Sequence, residues 1–322
     1  MKKKILQLLW DLWCIVTIVG IWPRFIEPRL LSTTRKTIEV AGLPSPIEGV
    51  KILQFSDLHM GKHTSDQFLS KLLRTIQKLK PDIVVFTGDF ICNASVPTCG
   101  RIEKLFNRIN TPYGSFSVIG NHDYSHPVGI NKEGDYDTIM DKESEVISGI
   151  RRVFKRRDKT KKRKVTDRAM AARPHQRLLD TLEHTSTTLL RNETKLVRIN
   201  DSYLNVSGLD EHTTGHADPQ QTFQSYDPRY PGIVLVHNPD AIPSLVDYPG
   251  DLILSGHTHG AQINLPWIWK KITLLENEEF KSGLKRYGKK WVYVNRGVGA
   301  TFPFRWFSRP EVTLFTLKGA GQ

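Results

Sequence analysis

Cysteine is nearly absent from this 322-residue chain, occurring only at Cys14, Cys92 and Cys99. So small and odd a number excludes a disulfide scaffold and fits a reducing compartment, and the gap between Cys92 and Cys99 matches no zinc pattern. No internal repeat of fixed period occurs, which excludes a solenoid or propeller. No small-x-small cleavage site follows the first apolar run, where Gly20, Ile21, Trp22 and Pro23 stand instead, so a cleaved signal peptide is disfavoured. Acidic residues are scarce in one place: between Arg151 and Arg177 thirteen Lys or Arg meet only Asp158 and Asp167. The net charge of +13 is therefore mostly the property of that segment, and the remainder is close to neutral. Such a run attracts nucleic acid or anionic lipid by the same long-range field, so charge alone does not select a partner. What is present is a composition with 39% hydrophobic residues, enough for a sizeable folded core.

Lys2, Lys3 and Lys4 precede an apolar run from Ile5 to Trp22, interrupted mainly by Gln7, Asp11 and Thr17. That length barely spans a bilayer, and Asp11 near its middle would cost about 2.5 to 3.5 kcal/mol. Lys4, Gln7, Asp11, Cys14 and Thr17 fall at steps of three and four, forming one polar helical stripe, with Trp10, Trp13 and Trp22 as interfacial aromatics. Residues 1–30 are thus expected to form a membrane-anchoring helix lying in the membrane surface. The bland alternative is a buried core helix.

From Val50 onward an apolar strand, a polar loop and an amphipathic helix alternate, which predicts βαβ units and a mostly buried parallel sheet. Strands are expected at 50–55, 83–87, 115–119, 233–236 and 252–254, and helices at 65–80 and around Ile102, Leu105, Phe106 and Ile109. The stretches 291–294 and 312–317 read as further strands, expected to pair antiparallel. Residues 37–322 make up the expected catalytic domain, and 125–190, carrying the basic run, read as an insertion of loop or exposed helix.

Each strand ends in a polar cluster: Asp57 and His59; Gly88 and Asp89; Gly120, Asn121, His122 and Asp123; His237 and Asn238; Gly256, His257, Thr258 and His259. Singly these are caps, turns and satisfied histidines. Jointly they converge on the sheet edge where α/β folds bind ligands, and like charges gathered there cost stability unless cations join them. Asp57, His59, Asp89, Asn121, His237, His257 and His259 are too many donors for one tetrahedral zinc and suit two ions. Oxygen and imidazole without thiolate select Mn²⁺ foremost, with Fe or Zn²⁺ next. Such a pair activates water and clamps the oxygens of an in-line displacement at phosphorus.

In this order, Asp57-x-His59, Gly88-Asp89, Gly120-Asn121-His122-Asp123, His237 and Gly256-His257-Thr258-His259 resemble the motifs of the calcineurin-like metallophosphoesterases. The resemblance implies a four-layer αββα sandwich in which Asp57, His59 and His259 hold one ion, Asn121, His237 and His257 the other, and Asp89 bridges. His122 would act on the leaving oxygen, oriented by Asp123. One departure from the family pattern is that Phe90, Ile91 and Cys92 precede Asn93 after the bridging acid. The remaining histidines, His63, His126, His175, His184, His212 and His216, read as surface or loop residues, with His63 and His126 nearest the motifs.

Within the family the chain is most similar to the membrane-associated bacterial branch and its UDP-2,3-diacylglucosamine hydrolases of lipid A synthesis. Asn238-Pro239-Asp240, Gly260 and Arg296-Gly297-Val298-Gly299 carry this softer likeness. Two aromatic runs follow the motifs, Leu265-Pro266-Trp267-Ile268-Trp269 and Phe302-Pro303-Phe304 with Trp306 and Phe307. They read either as a greasy rim beside the site or as ordinary core packing. The partners implied are an amphiphilic nucleotide-lipid substrate and a membrane surface, on the cytoplasmic side of the inner membrane. Nucleic acid is disfavoured. A broad phosphodiesterase or nuclease using the same metals is the rival reading, and a noncatalytic scaffold is opposed by the intact motifs.

Overall fold

A computed structural model describes residues 2–92, 98–139, 163–273 and 275–320. Two six-stranded sheets stack face to face. In the first, the order is β1 (Ser32–Val40), β14 (Glu311–Gly319), β2 (Lys51–Phe55), β3 (Ile83–Thr87), β4 (Ser115–Val118), β7 (Thr187–Leu189). In the second it is β12 (Gly283–Tyr287), β13 (Lys290–Val294), β11 (Leu252–Ser255), β10 (Gly232–Leu235), β9 (Ser202–Gly208), β8 (Glu193–Ile199). A small hairpin, β5 (Val128–Ile130) with β6 (Tyr136–Thr138), stands apart.

The period of two explains why the site-bearing strands read as continuous apolar runs: both faces are buried. Ile52, Ile83 and Val85 meet Val206, Ile233, Leu235 and Leu254 between the sheets. Their neighbours Leu53, Phe55, Val84 and Phe86 face the helices Asp66–Leu79, Cys99–Phe106 and Gln176–Glu183. The fourth layer, over the second sheet, is the 3₁₀ segment Pro239–Leu245, which contributes Ala241, Ile242 and Leu245 together with Phe280. Helix Asp66–Leu79 begins where Ser65 accepts a hydrogen bond from the Phe68 amide and ends at left-handed Lys80 ahead of Pro81. Beneath the site, Gln54 ties the sheets together by donating to Thr87 Oγ1 (3.0 Å) and to the Ser255 carbonyl (2.9 Å).

The later strands depart from simple antiparallel pairing. β14 is antiparallel to β2 but parallel to β1, and β13 is antiparallel only to β12, running parallel to β11. Residues 163–190 likewise carry more structure than loop or exposed helix. Leu178 and Leu182, one helical turn apart, are buried in the first core, and β7 extends that sheet. Arg163 is held by Asp240 at 3.2 Å and lies over the Tyr136 ring, so this cation of the basic run fastens the hairpin to the second sheet. Residues 151–162 of that run, and Asn93, lie outside the described residues.

The N-terminal segment is α-helical over Lys2–Val16 and continues through a wider π-type stretch, Thr17–Ile26, to a 3₁₀ turn at Glu27–Arg29. It is long and apolar enough to cross a membrane. Thirteen large apolar side chains between Ile5 and Ile26 are exposed, which excludes the buried core helix. Moving them from water into hydrocarbon is worth on the order of 20 kcal/mol.

Candidate metal centre

The strand ends converge as expected, and the backbone works to achieve it. Asp57, His59, Asp89, His257 and His259 all have φ between 43° and 72°. Left-handed backbone costs a non-glycine residue about 1 to 3 kcal/mol, least for Asp and His, so these residue types are the ones that tolerate the sharp turn off a strand end. The turns also need close approach. A Cβ on Gly88 would lie 2.6 Å from His237 Nδ1, and one on Gly120 would lie 2.7 Å from the Asp89 amide nitrogen.

Two clusters share Asp89. In the first, His59 Nε2 and His259 Nε2 are 3.0 Å apart, with Asp57 Oδ1 3.6 Å from His259 Nε2 and Asp89 Oδ2 3.4 Å from His59 Nε2. In the second, Asn121 Oδ1 lies 3.1 Å from His237 Nε2 and 2.9 Å from His257 Nδ1, and Asp89 Oδ2 is 3.3 Å from His237 Nε2. Neighbours fix these orientations. His237 Nδ1 donates to the Thr87 carbonyl at 2.7 Å, which turns Nε2 into the cluster, and Asn121 Nδ2 donates to the Val128 carbonyl at 2.6 Å, which aims Oδ1 the same way. The hairpin therefore orients a candidate ligand.

This donor set fits divalent cations. Lone-pair atoms of Asn121, His237 and Asp89 face one another at hydrogen-bond distance, a contact that is favourable only with a proton or cation between them. Burial pushes His59 and His257 down to about 3 and His259 well below its ordinary value, keeping these rings neutral, the form that donates to a metal. Burial, reinforced by the Asp89 charge, pushes Asp57 up to about 6. Against its burial, His237 is held well above its ordinary value by the Asp89 carboxylate 3.3 Å away, so protons compete for the site through His237 and Asp57 and not through His59, His257 and His259. Affinity of the metal-free protein for Mn²⁺ should therefore still rise with pH above 7, as His237 gives up its proton, and fall more steeply below 6, where Asp57 takes one up. Calorimetric titration from pH 5 to 9 in buffers of different ionisation enthalpy counts the protons released, and an affinity level from pH 7 upward would remove His237 from the competition.

His122 stands at the edge of the cluster, half-buried, its ring edge-on to His59 with centroids 4.9 Å apart. The structure departs from the expected His122–Asp123 pairing. His122 Nδ1 donates to the Cys92 carbonyl at 3.2 Å, whereas Asp123 accepts from the backbone amides of Asp89 (2.9 Å), Gly120 (2.9 Å) and Ile91 (3.1 Å). A side chain adjacent in sequence points away here because the 3₁₀ turn Asn121–Asp123 sends it back under the Asp89 loop. Asp123 thus props the loop that carries Asp89. Among the other histidines, His63, His126 and His184 are exposed, while His175, His212 and His216 are half-buried.

Sequence reading missed the support behind His259. Fully buried Arg305 places Nη2 3.2 Å from His259 Nδ1 and donates to the carbonyls of Arg296, Gly297, Gly299 and Ser308. Ser308 Oγ donates to the His259 carbonyl at 2.5 Å, and the Ser308 amide donates to Glu27 Oε1 at 2.6 Å. Glu27, buried at the foot of the N-terminal helix, also accepts from Trp22 Nε1 at 3.0 Å. No local pattern marks these partners, which are distant in sequence. Neither aromatic run is core: Trp267 is 82% and Phe307 60% exposed, and the other rings in both runs are half-buried.

Residues 50–261 match the calcineurin-like phosphoesterase family. The chain is 37% identical to the UDP-2,3-diacylglucosamine pyrophosphatase LpxG of Chlamydia muridarum, over 91% of each chain. It is 32% identical to the uncharacterized metallophosphoesterase YkuE of Bacillus subtilis, over 92% of this chain and 89% of that one. The Escherichia coli phosphodiesterase YaeI is 25% identical, over 83% of this chain and 82% of that one. With the family's span and its Asp, His and Asn donors gathered at one sheet edge, the chain belongs to the calcineurin-like phosphoesterases and is a metal-dependent hydrolase of phosphoric esters or pyrophosphates.

Proposed function

We propose that the protein hydrolyses the pyrophosphate bond of UDP-2,3-diacylglucosamine to UMP and 2,3-diacylglucosamine 1-phosphate, a step of lipid A synthesis, at a two-metal centre on the cytoplasmic face of the inner membrane. The observation that carries this reading is the direct attachment of the apolar N-terminal helix to the metal-site loops. Glu27 at its foot holds Ser308, and Ser308 holds His259. A protein hydrolase or a nuclease has no need of so greasy a neighbour. The 37% identity to a pyrophosphatase named for this substrate supports the same choice. So do the few cysteines, and the fact that a nucleotide-linked lipid is an intracellular chemical species. Arg24, Arg29, Arg35 and Lys36 follow the apolar run as Lys2, Lys3 and Lys4 precede it, so no charge asymmetry directs the C-terminal domain outward.

One ion would sit among Asp57, His59 and His259, the other among Asn121, His237 and His257, with Asp89 between. Two divalent cations, Mn²⁺ foremost, would supply Lewis-acid polarisation and an activated water there. The chain's own residues do the rest. Asp123 holds the Asp89 and Gly120 amides so that the bridging carboxylate cannot swing away. His122, tethered through Nδ1–H, leaves Nε2 facing the leaving oxygen and, in the doubly protonated form, would donate that proton as the anhydride P–O bond breaks and the bond from water to phosphorus forms, the water's own proton passing to solvent.

Purified full-length protein, assayed with Mn²⁺, Mg²⁺ or Zn²⁺ on detergent-dispersed UDP-2,3-diacylglucosamine, single-stranded DNA and a chromogenic phosphodiester, should release UMP and the lipid 1-phosphate, identified by mass spectrometry. A lipid inert with every metal, alongside DNA cut in a steeply salt-dependent way, would replace this reading with the nuclease one.

A further inference from the structure

We propose that the loops 264–269 and 302–309 form, with the foot of the N-terminal helix, a docking platform for an anionic lipid bilayer, pressing the metal-site edge of the fold against the membrane. The inference deepens the proposed function and rests on its membrane-bound reading.

The two loops behave as one body. Asn264 and Trp306 exchange backbone contacts, the Asn264 amide donating to Trp306 O and the Trp306 amide to Gln262 O, both at 2.8 Å. Asn264 Nδ2 adds a hydrogen bond to Phe307 O at 3.1 Å. The helix foot is fastened to the same body. Arg24 donates to Pro303 O at 3.0 Å, and the Arg305 amide donates to Pro23 O at 2.8 Å. The bilayer that covers the exposed apolar helix therefore begins within hydrogen-bonding distance of these loops. This holds whether the helix crosses the membrane or lies in its plane, because residues 23–27 end the apolar run in both cases.

The loops then show that surface their most apolar side chains. Among the described residues Trp267 and Phe307 are the most exposed aromatics outside the helix, and both stand on left-handed backbone, φ 62° and 56°. Left-handed backbone is unfavourable for a bulky ring, yet both rings lie outside the buried core, Phe307 stacking on half-buried Trp306 with centroids 6.0 Å apart. Between loop and helix opens a cleft of about 440 Å³ walled by Ile18, Trp22, Trp306 and Phe307, with Arg296 and Arg309 on it. Glu27 also lines the cleft and Arg296 is paired with Glu311 at 2.9 Å, so the positive charge beside it is that of exposed Arg309 and of Arg24 and Arg29 at the helix foot. Aromatic tips, an apolar cleft and cations reproduce the order of chain, interface and anionic headgroup in a lipid layer. This chemistry selects anionic phospholipid over a partner protein.

The test uses full-length protein bound to vesicles of phosphatidylglycerol and phosphatidylethanolamine. Trp267→Cys, Phe307→Cys and, on the distant strand β8, Lys195→Cys are each made with Cys14→Ser and labelled with nitrobenzoxadiazole, and signal from the labelled Cys14→Ser parent is subtracted. Labels at 267 and 307 should be quenched at least twofold by nitroxide-bearing acyl chains and be at least threefold less accessible to aqueous iodide than the label at 195. Protein that does not sediment with vesicles, or labels at 267 and 307 as open to iodide as that at 195, would overturn the platform. Because the readout is depth and not turnover, a failed substrate assay leaves it standing, and a failed depth measurement leaves the substrate reading standing.

Discussion

Asp89→Ala should empty both metal positions at once. Its Oδ2 approaches a ring nitrogen of both clusters, His59 Nε2 at 3.4 Å on one side and His237 Nε2 at 3.3 Å on the other. Loss of a residue bound to only one ion would spare the second, whereas loss of Asp89 should lower affinity at both by more than the roughly 10- to 100-fold typical of an outer-sphere change. Elemental analysis after gel filtration reads the result, and two ions retained at wild-type affinity would remove Asp89 from the bridging role. The fold should survive. Asp89 raises the pKa of Asp57 through repulsion, so its removal relieves a buried like-charge contact while leaving the His122 amide without its 2.9 Å acceptor. A thermal midpoint within a few degrees of the metal-free wild type separates loss of metal from loss of structure.

His122→Ala should give the opposite pattern: both ions kept, turnover reduced by about 10² to 10⁴. His122 lies close enough to His59 and Asp89 for a ligand atom of each to share one ion, so geometry alone admits it as a metal ligand. Metal content therefore decides between the two roles. Full occupancy with a lost kcat and little change in KM assigns it to the leaving oxygen. A near-normal kcat contradicts that role, and the loss of one ion makes His122 a ligand.

The convergence of the candidate ligands on one edge was legible because strand and motif coincide. A buried parallel strand is a continuous apolar run that stops abruptly, and the Asp, Asn and His residues follow that stop in β2, β3, β4, β10 and β11. Several strands that escaped notice are polar or half-wet, and β9, buried almost throughout, escaped because Asn205 and Ser207 interrupt its apolar run. β1 reads Ser-Thr-Thr-Arg-Lys-Thr-Ile-Glu-Val and buries only Ile38 and Val40, and β8 reads Glu-Thr-Lys-Leu-Val-Arg-Ile and buries only Thr194 and Ile199. Leu178 and Leu182 were hidden by the basic residues before them. The partner of Asp123 was illegible for another reason: which way a carboxylate points depends on a single turn, and the three amides it holds belong to two different loops. Arg305 inside an aromatic run gives no sign that four backbone carbonyls enclose it.

The Glu27–Ser308–His259 chain of hydrogen bonds changes where the polypeptide can be divided. The apolar N-terminal helix and the hydrolase do not meet at a dispensable linker, because the last turn of that helix supplies the acceptor for a buried amide one hydrogen bond from a candidate metal-site residue. Trimming the chain at residue 30 to obtain a soluble enzyme would strip that acceptor, at a cost of about 1 to 3 kcal/mol, and loosen the turn that presents His259. A cut ahead of Trp22 removes most of the apolar surface and keeps Glu27 with both of its donors. Solubility and an intact metal site are thus separable by fewer than ten residues of chain, between Trp22 and Leu30.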